Sequence, residues 1–105
     1  MNAAAPMAED ISEEAFLSGV AELCATDPTL SQVGAAILLA LHLGICADSR
    51  TFSRLFGIEH ALVLRAVTEL TDQVFASIVD RNARTQRTTI ALTEGARSLV
   101  GRTSL

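Results

Sequence analysis

The sequence predicts a mainly α-helical domain that ends in a small β-hairpin. Apolar residues recur at helical spacing through most of the first 72 positions. The spacing then changes to strand-like alternation in two segments between residues 74 and 92. Half of the 105 residues are apolar, which is enough for one core. We expect residues 1–9 to be a disordered tail and residues 10–105 to form one domain.

The first two helices are predicted over residues 10–26 and about 30–45. Asp10 and Glu13 have the spacing of a capping box. Asp27-Pro28 ends the first helix, because the residue before a proline disfavours helical geometry. The second helix contains the run Ala-Ala-Ile-Leu-Leu-Ala-Leu, which is apolar nearly all round. This run indicates the central buried helix of the fold.

Two shorter helices follow, over residues 49–56 and 59–72. Asp48 or Ser49 can cap the first of them, and Gly57 separates the two. The second has apolar residues at i, i+3, i+4 and i+7, which marks an inward face. A short helix, a turn with glycine and a helix of this kind are typical of a helix-turn-helix.

The last elements are a hairpin and a short helix. Strands are predicted over residues 74–79 and 88–92, on either side of a polar, flexible loop. Thr93 can cap a final helix over residues 94–100. A hairpin that follows a helix-turn-helix gives the element order of a winged helix.

The charges are divided between the two halves of the chain. Residues 1–48 contain seven acids and no Arg, a net charge of −7. Residues 49–105 contain eight Arg and five acids, a net charge of +3, so that the total is −4. This asymmetry indicates that a polyanion is bound by the second half only. The alternative is that Arg merely solvates the helices.

Most enzyme chemistries lack the residues they need. The chain has no Lys and two His, and no nucleophile–base pair or phosphate-binding loop can be assembled. Cys24 and Cys46 lack metal-ligand spacing, so we expect no metal or cofactor and assign both thiols to packing, with a redox sensor as the alternative. His42 is expected to be a core histidine. Since no targeting segment or membrane span is visible, we expect a cytoplasmic protein.

Residues 30–100 resemble the DNA-binding core of MarR-type transcriptional regulators. The resemblance rests on "Leu-Ser…Ile-Leu-Leu-Ala-Leu", "Phe-Ser-Arg-Leu-Phe-Gly-Ile", and an Arg-rich wing that runs into "Ile-Ala-Leu-Thr-Glu-Gly". It covers about two thirds of the chain and implies a winged helix-turn-helix that binds double-stranded DNA. Family members carry a long C-terminal dimerisation helix, whereas this chain stops at Leu105, so we expect a homodimer to use the first or the last helix.

The DNA-contacting residues are predicted from helix geometry and from the wing. Arg65, Thr68 and Ala61 face outward on the second helix of the motif, where they can meet guanine, a hydrogen-bonding base edge and a thymine methyl. The wing supplies Arg at every third position, suited to phosphate or minor-groove contact. The predicted DNA-binding residues are Arg50, Arg54, His60, Ala61, Arg65, Thr68, Arg81, Arg84 and Arg87.

The apolar face of the first helix is the expected dimer interface. Its residues are Ile11, Phe16, Val20 and Leu23. The alternative function is a winged helix that binds another regulatory protein instead of DNA. The net acidity favours this alternative, as do Leu62 and Leu64, which flank the outward face of the helix that would read bases.

Overall fold

The structure is a computed structural model that describes residues 12–103. Helix α1 (Glu13–Thr26) is capped by Ser12, whose hydroxyl oxygen accepts a hydrogen bond from the Ala15 N–H at 3.0 Å. The acidic first turn suits the positive end of the helix dipole. The described helix begins at Glu13 with a serine cap, and Asp10 of the predicted capping box lies outside the described residues.

Helix α2 (Gln32–Leu43) is bounded by a serine and a glycine. The Ser31 hydroxyl oxygen accepts a hydrogen bond from the Gly34 N–H at 3.0 Å. Gly44 has a φ of 72°, in the left-handed region that glycine enters without steric cost. The helix therefore ends two residues before the predicted end at Ile45.

The next two helices form the predicted helix-turn-helix. Helix α3 (Ser49–Phe56) is capped by Asp48, whose carboxylate accepts hydrogen bonds from the N–H and the hydroxyl of Thr51. Gly57 ends α3 with a φ of 64°. Helix α4 (His60–Asp72) begins three residues later. The glycine makes the sharp turn that lets the two helices cross.

The hairpin consists of β1 (Ala76–Arg81) and β2 (Thr88–Leu92), which pair antiparallel. Strand β1 begins two residues later than predicted and extends two residues further. The connecting loop is therefore residues 82–87, shorter than the predicted loop. The register shifts between Ile78 and Asp80, which places a β-bulge in the outer strand.

Helix α5 (Glu94–Val100) packs its buried face against the centre of the fold. Thr93 caps it through a hydrogen bond from the Ala96 N–H at 3.2 Å. The central helix α2 contacts α1, α4, α5 and β2. The largest fully buried apolar side chains are Leu23, Ile37, Leu38, Leu39, Phe52, Val63, Val67, Leu70 and Val100. Five helices and one two-stranded hairpin make up the described residues, which confirms the predicted fold class.

Two further predictions concern His42 and the N-terminal residues 1–9. His42 is exposed, so the prediction of a core histidine is wrong. Its side of α2 faces a shallow depression that Arg97 also lines, and water reaches the ring there. The predicted tail over residues 1–9 lies outside the described residues.

The connection between α4 and β1 is strained at Val74. Its φ is 63°, in the left-handed region that β-branched residues rarely enter, and its side chain is 69% exposed. Two hydrogen bonds of 2.8 Å hold this geometry, from the Phe75 N–H to the Leu70 carbonyl and from the Thr93 hydroxyl to the Val74 carbonyl. This is the helix-ending arrangement that glycine usually occupies.

We expect Val74→Gly to stabilise the protein. The left-handed conformation costs an L-residue roughly 1–2 kcal/mol, and the freedom of glycine in the unfolded chain returns about 0.5–1 kcal/mol of that. The net gain of up to about 1.5 kcal/mol should raise the urea midpoint at an unchanged m-value. Val74→Ala keeps the Cβ and is the control, with a smaller gain. If the urea midpoint of Val74→Gly is at or below that of the parent, the claim that Val74 is strained is wrong.

Candidate nucleic-acid interface

The outward face of α4 is exposed along its length. Its predicted outward positions are Ala61, Arg65, Thr68 and Asp72, and all four are exposed. The Thr68 hydroxyl donates a hydrogen bond to the Leu64 carbonyl of the same helix at 3.1 Å. Arg65 is therefore the longest polar side chain that α4 presents to a ligand from this set. Base contact by these residues stays a prediction.

The wing tip is a closed turn and not an open flexible loop. The Asn82 side-chain oxygen accepts hydrogen bonds from the N–H groups of Arg84 and Thr85, at 2.9 and 3.1 Å. The Asn82 carbonyl accepts from the Gln86 N–H at 2.7 Å, and Gln86 has a φ of 64°. The Asn82 N–H donates to the Arg87 carbonyl at 2.9 Å. One asparagine thus organises the whole tip.

The segment before α3 pairs with the hairpin through a single isolated bridge. Asp48 forms an isolated antiparallel bridge with Thr89. The Ile90 N–H donates to the Ala47 carbonyl at 2.9 Å. The inner edge of β2 is therefore covered by the chain that leads into the helix-turn-helix. Sequence reasoning missed this pairing, because it spans about 40 positions.

Two of the predicted DNA-contacting arginines bind the protein itself. Arg50 donates from Nε and Nη2 to the Thr85 carbonyl at 3.0 and 2.6 Å. Arg87 lies 3.7 Å from the Asp48 carboxylate and is 52% exposed. An ion pair this exposed contributes little to stability. Arg87 can therefore move to another anion, whereas Arg50 is engaged twice.

A buried hydroxyl joins α3, α4 and β2. Ser49 is fully buried, and its hydroxyl oxygen accepts a hydrogen bond from the Thr88 N–H at 2.9 Å. The same oxygen lies 2.8 Å from His60 Nε2. Burial, and then the nearby Arg50 charge, lower the pKa of His60 from its usual value, although Asp48 opposes them. One ring nitrogen of His60, a predicted DNA-binding residue, is therefore engaged by Ser49. The lowered pKa also favours the neutral ring, which attracts a phosphate less than a charged ring does.

Asp48 is the acidic residue at this junction. Burial alone would raise the pKa of its carboxyl, but the hydrogen bonds from Thr51 and the charge of Arg87 outweigh burial and lower the pKa from its usual value. The carboxylate is therefore charged at neutral pH. Sequence reasoning identified Asp48 only as a helix cap and missed its contacts with the wing.

The remaining predicted arginines project into solvent. Arg54 on α3, Arg81 at the end of β1 and Arg84 at the wing tip are exposed. Four exposed acids, Glu59, Glu69, Asp72 and Asp80, lie in the same part of the chain. The surface is therefore mixed in charge, and its positive side chains are concentrated on α3 and the wing.

An open apolar groove of about 980 Å³ lies between α1, α2 and α3. Phe16 and Phe56 stack across one side of it, with ring centroids 5.8 Å apart. Leu17 and Leu55 also line it and are 57% and 53% exposed. Glu13 is the one charged side chain among the described residues that line the groove.

The predicted dimer residues divide into two groups. Val20 is 7% exposed and Leu23 is fully buried, so they belong mainly to the core of their own chain. Val20 nevertheless lines the groove, and the part of both residues in a dimer interface stays a prediction. Phe16 is half-buried at the groove, and Ile11 lies outside the described residues.

The two thiols are free and half-buried. Burial, together with the charge of Asp48, raises the pKa of Cys46 to about 12, which keeps this thiol protonated. A protonated thiol is a poor nucleophile and a poor metal ligand. Within residues 12–103, no three His, Cys, Asp or Glu side chains come together as metal ligands.

None of the helices in the described part of the chain has the length and apolar character needed to cross a bilayer.

Comparisons with known proteins identify the fold. The adhesin competence repressor AdcR of Streptococcus pyogenes matches with a TM-score of 0.57 and 21% identity, over 81% of this chain and 63% of that one. Two variants of ZitR from Lactococcus lactis match with a TM-score of 0.59 and 19% identity, over 84% of this chain and 67% of theirs. No protein-family model and no curated protein sequence matches. The chain has the winged-helix fold and spans about two thirds of the length of these proteins.

Proposed function

We propose that the protein is a DNA-binding transcriptional regulator of MarR-like type that acts in the cytoplasm. In this proposal α4 enters the major groove and the wing contacts the DNA backbone. The observation that carries the proposal is the position of the arginines. All six arginines of α3, α4 and the hairpin are exposed, whereas residues 12–48 contain no Arg or Lys. The two similar structures with regulator-like folds support it by analogy.

The proposed contacts follow from side-chain chemistry. Arg65 can form a bidentate pair with guanine, which discriminates against a wrong base by ~1–3 kcal/mol. Thr68 and Ala61 extend the same face. Arg54, Arg81, Arg84 and, after leaving Asp48, Arg87 supply phosphate contacts, which fix orientation without reading sequence. Helix α1 carries Glu13, Glu14 and Glu22 and no Arg, so it is not expected to contact DNA.

Loss of a wing arginine should change the salt dependence of binding. A 20-base-pair duplex of random sequence is titrated by fluorescence anisotropy over a salt series. We expect Arg84→Ala to weaken binding and to reduce the slope of log K against log salt by about 0.9, since one phosphate contact is lost. The control is Arg102→Ala, which removes the same charge from a residue beyond α5.

The slope for Arg102→Ala should equal that of the parent. Equal reductions in both variants would mean that only net charge matters and that the wing has no particular role. A parent protein that does not bind duplex DNA at low salt contradicts the proposed function.

We further propose that the protein is a homodimer in which the groove between α1, α2 and α3 packs against a second copy. Leu17 and Leu55 expose more than half of their surfaces beside this groove. Large apolar side chains are rarely clustered on the open surface of a monomer. Glu13 is the one charged side chain among its described lining residues, so a partner can cover the groove with little loss of hydration.

Leu17→Asp should dissociate this dimer. A carboxylate buried without a partner costs several kcal/mol, so the dimer dissociation constant should rise at least about a hundredfold. Sedimentation velocity at tens of micromolar measures the change. Leu62→Asp is the charge-matched control, because Leu62 is 45% exposed on α4, outside the groove. A monomeric parent, or a dimer that only the Leu62 variant disrupts, contradicts the groove as the interface.

A protein-binding role is the second candidate function. It is favoured by Leu62, an exposed apolar side chain on the helix that would otherwise read DNA. In that case Leu62→Asp abolishes function, whereas Arg65, Arg84 and Arg87 tolerate Ala. Absence of duplex binding in the salt series, together with this pattern, identifies α4 as a surface for another regulatory protein.

A further inference from the structure

The wing tip is attached to α3 by a side chain and not only by the two strands. Arg50 donates two hydrogen bonds to the Thr85 carbonyl, which lies 35 positions away in the loop of residues 82–87. We infer that Arg50 is a positioning residue that fixes the wing tip relative to α4. This inference rests on the proposed binding of DNA and assigns Arg50 a different role from the predicted phosphate contact.

The position of Arg50 links the tip to the start of α4. Its neighbour Ser49 contacts both Thr88 of β2 and His60 of α4 through one buried hydroxyl oxygen. The first turn of α3 therefore holds the tip, the inner strand of the wing and the first turn of α4 at once. The N-terminal part of a recognition helix is the part that approaches base edges. The distance between the wing tip and the start of α4 is therefore already fixed before the protein binds DNA.

Arg50 has fewer donors left for a phosphate, because the Thr85 carbonyl takes one N–H from Nε and one from Nη2 of the guanidinium group. Its Nε and Nη2 both point to the Thr85 carbonyl, so a phosphate that used these donors would release the tip. Further hydrogen bonds of the tip are made by Asn82. They join residues within the loop of residues 82–87. They shape the turn but do not orient it on the rest of the protein.

Loss of this contact should weaken DNA binding through the cost of ordering. A tip that is free to move in the unbound protein must be fixed when it binds, and that cost lowers affinity for every sequence alike. We expect Arg50→Ala to bind random duplex roughly three- to tenfold more weakly. The salt slope should stay at the parent value, because no phosphate contact is lost.

Three substitutions separate positioning from phosphate contact. In Arg50→Gln the side-chain NH2 stands at the same distance along the side chain as Nε, so it can still donate to the Thr85 carbonyl without a charge. Positioning predicts that Gln recovers most of the affinity that Ala loses. Phosphate contact predicts that Gln behaves as Ala, that only Arg50→Lys recovers affinity, and that the slope falls by about 0.9. The second pattern overturns the inference.

Amide hydrogen exchange in the free protein supplies a readout that needs no DNA. Arg50→Ala should speed exchange of the Asn82 and Gln86 amides, and Arg50→Gln should restore their protection. Arg54→Ala is the matched control, since it removes the same charge from an exposed position on the same helix. Unchanged exchange in Arg50→Ala overturns the inference. If exchange changes as expected but no variant binds duplex DNA, the proposed function fails while the positioning contact stands.

Discussion

The four residues from Ala47 to Arg50 connect the wing to the helix-turn-helix, and the geometry of the candidate interface depends on them. Three contacts join this segment to the hairpin. The Ala47 carbonyl accepts a hydrogen bond from Ile90, the Ser49 hydroxyl accepts one from Thr88, and Arg50 donates to the Thr85 carbonyl. The hydroxyl is the most constrained of these groups, because it is fully buried and has two partners. A buried polar group that loses its partner costs about 1–3 kcal/mol. This constraint holds three elements in one arrangement.

The arginines differ in whether they contact the protein itself. Those close to the junction are partly or wholly used inside the protein, whereas Arg54, Arg65 and Arg84 are exposed for a ligand. A protein with a net charge of −4 can still attract a polyanion when its basic groups lie on one side. The apolar groove beside the acidic α1 is the surface that we propose for contact with a second copy of the chain.

Local pattern predicted most of the elements, and long-range contacts account for what it missed. Strand β2 and helix α5 have the predicted bounds, because alternation and a capping threonine are local signals. Strand β1 is displaced because Val74, which reads as a strand residue, takes a left-handed conformation. The contact of Arg50 with Thr85 joins positions too far apart for spacing to indicate. Periodicity also finds an apolar face on α1 but cannot tell that Leu23 packs inward while Leu17 is exposed.

The central claim is that α4 and a wing already set in place bind duplex DNA together. The most direct test is a titration of isotope-labelled protein with a 20-base-pair random duplex, followed by amide chemical shifts. The account predicts shifts that cluster at residues 60–68 and 82–87, with residues 13–26 unaffected and with the wing-tip amides protected from exchange before DNA is added. Shifts confined to α1 and the groove, or wing-tip protection that arises only with DNA, would contradict it.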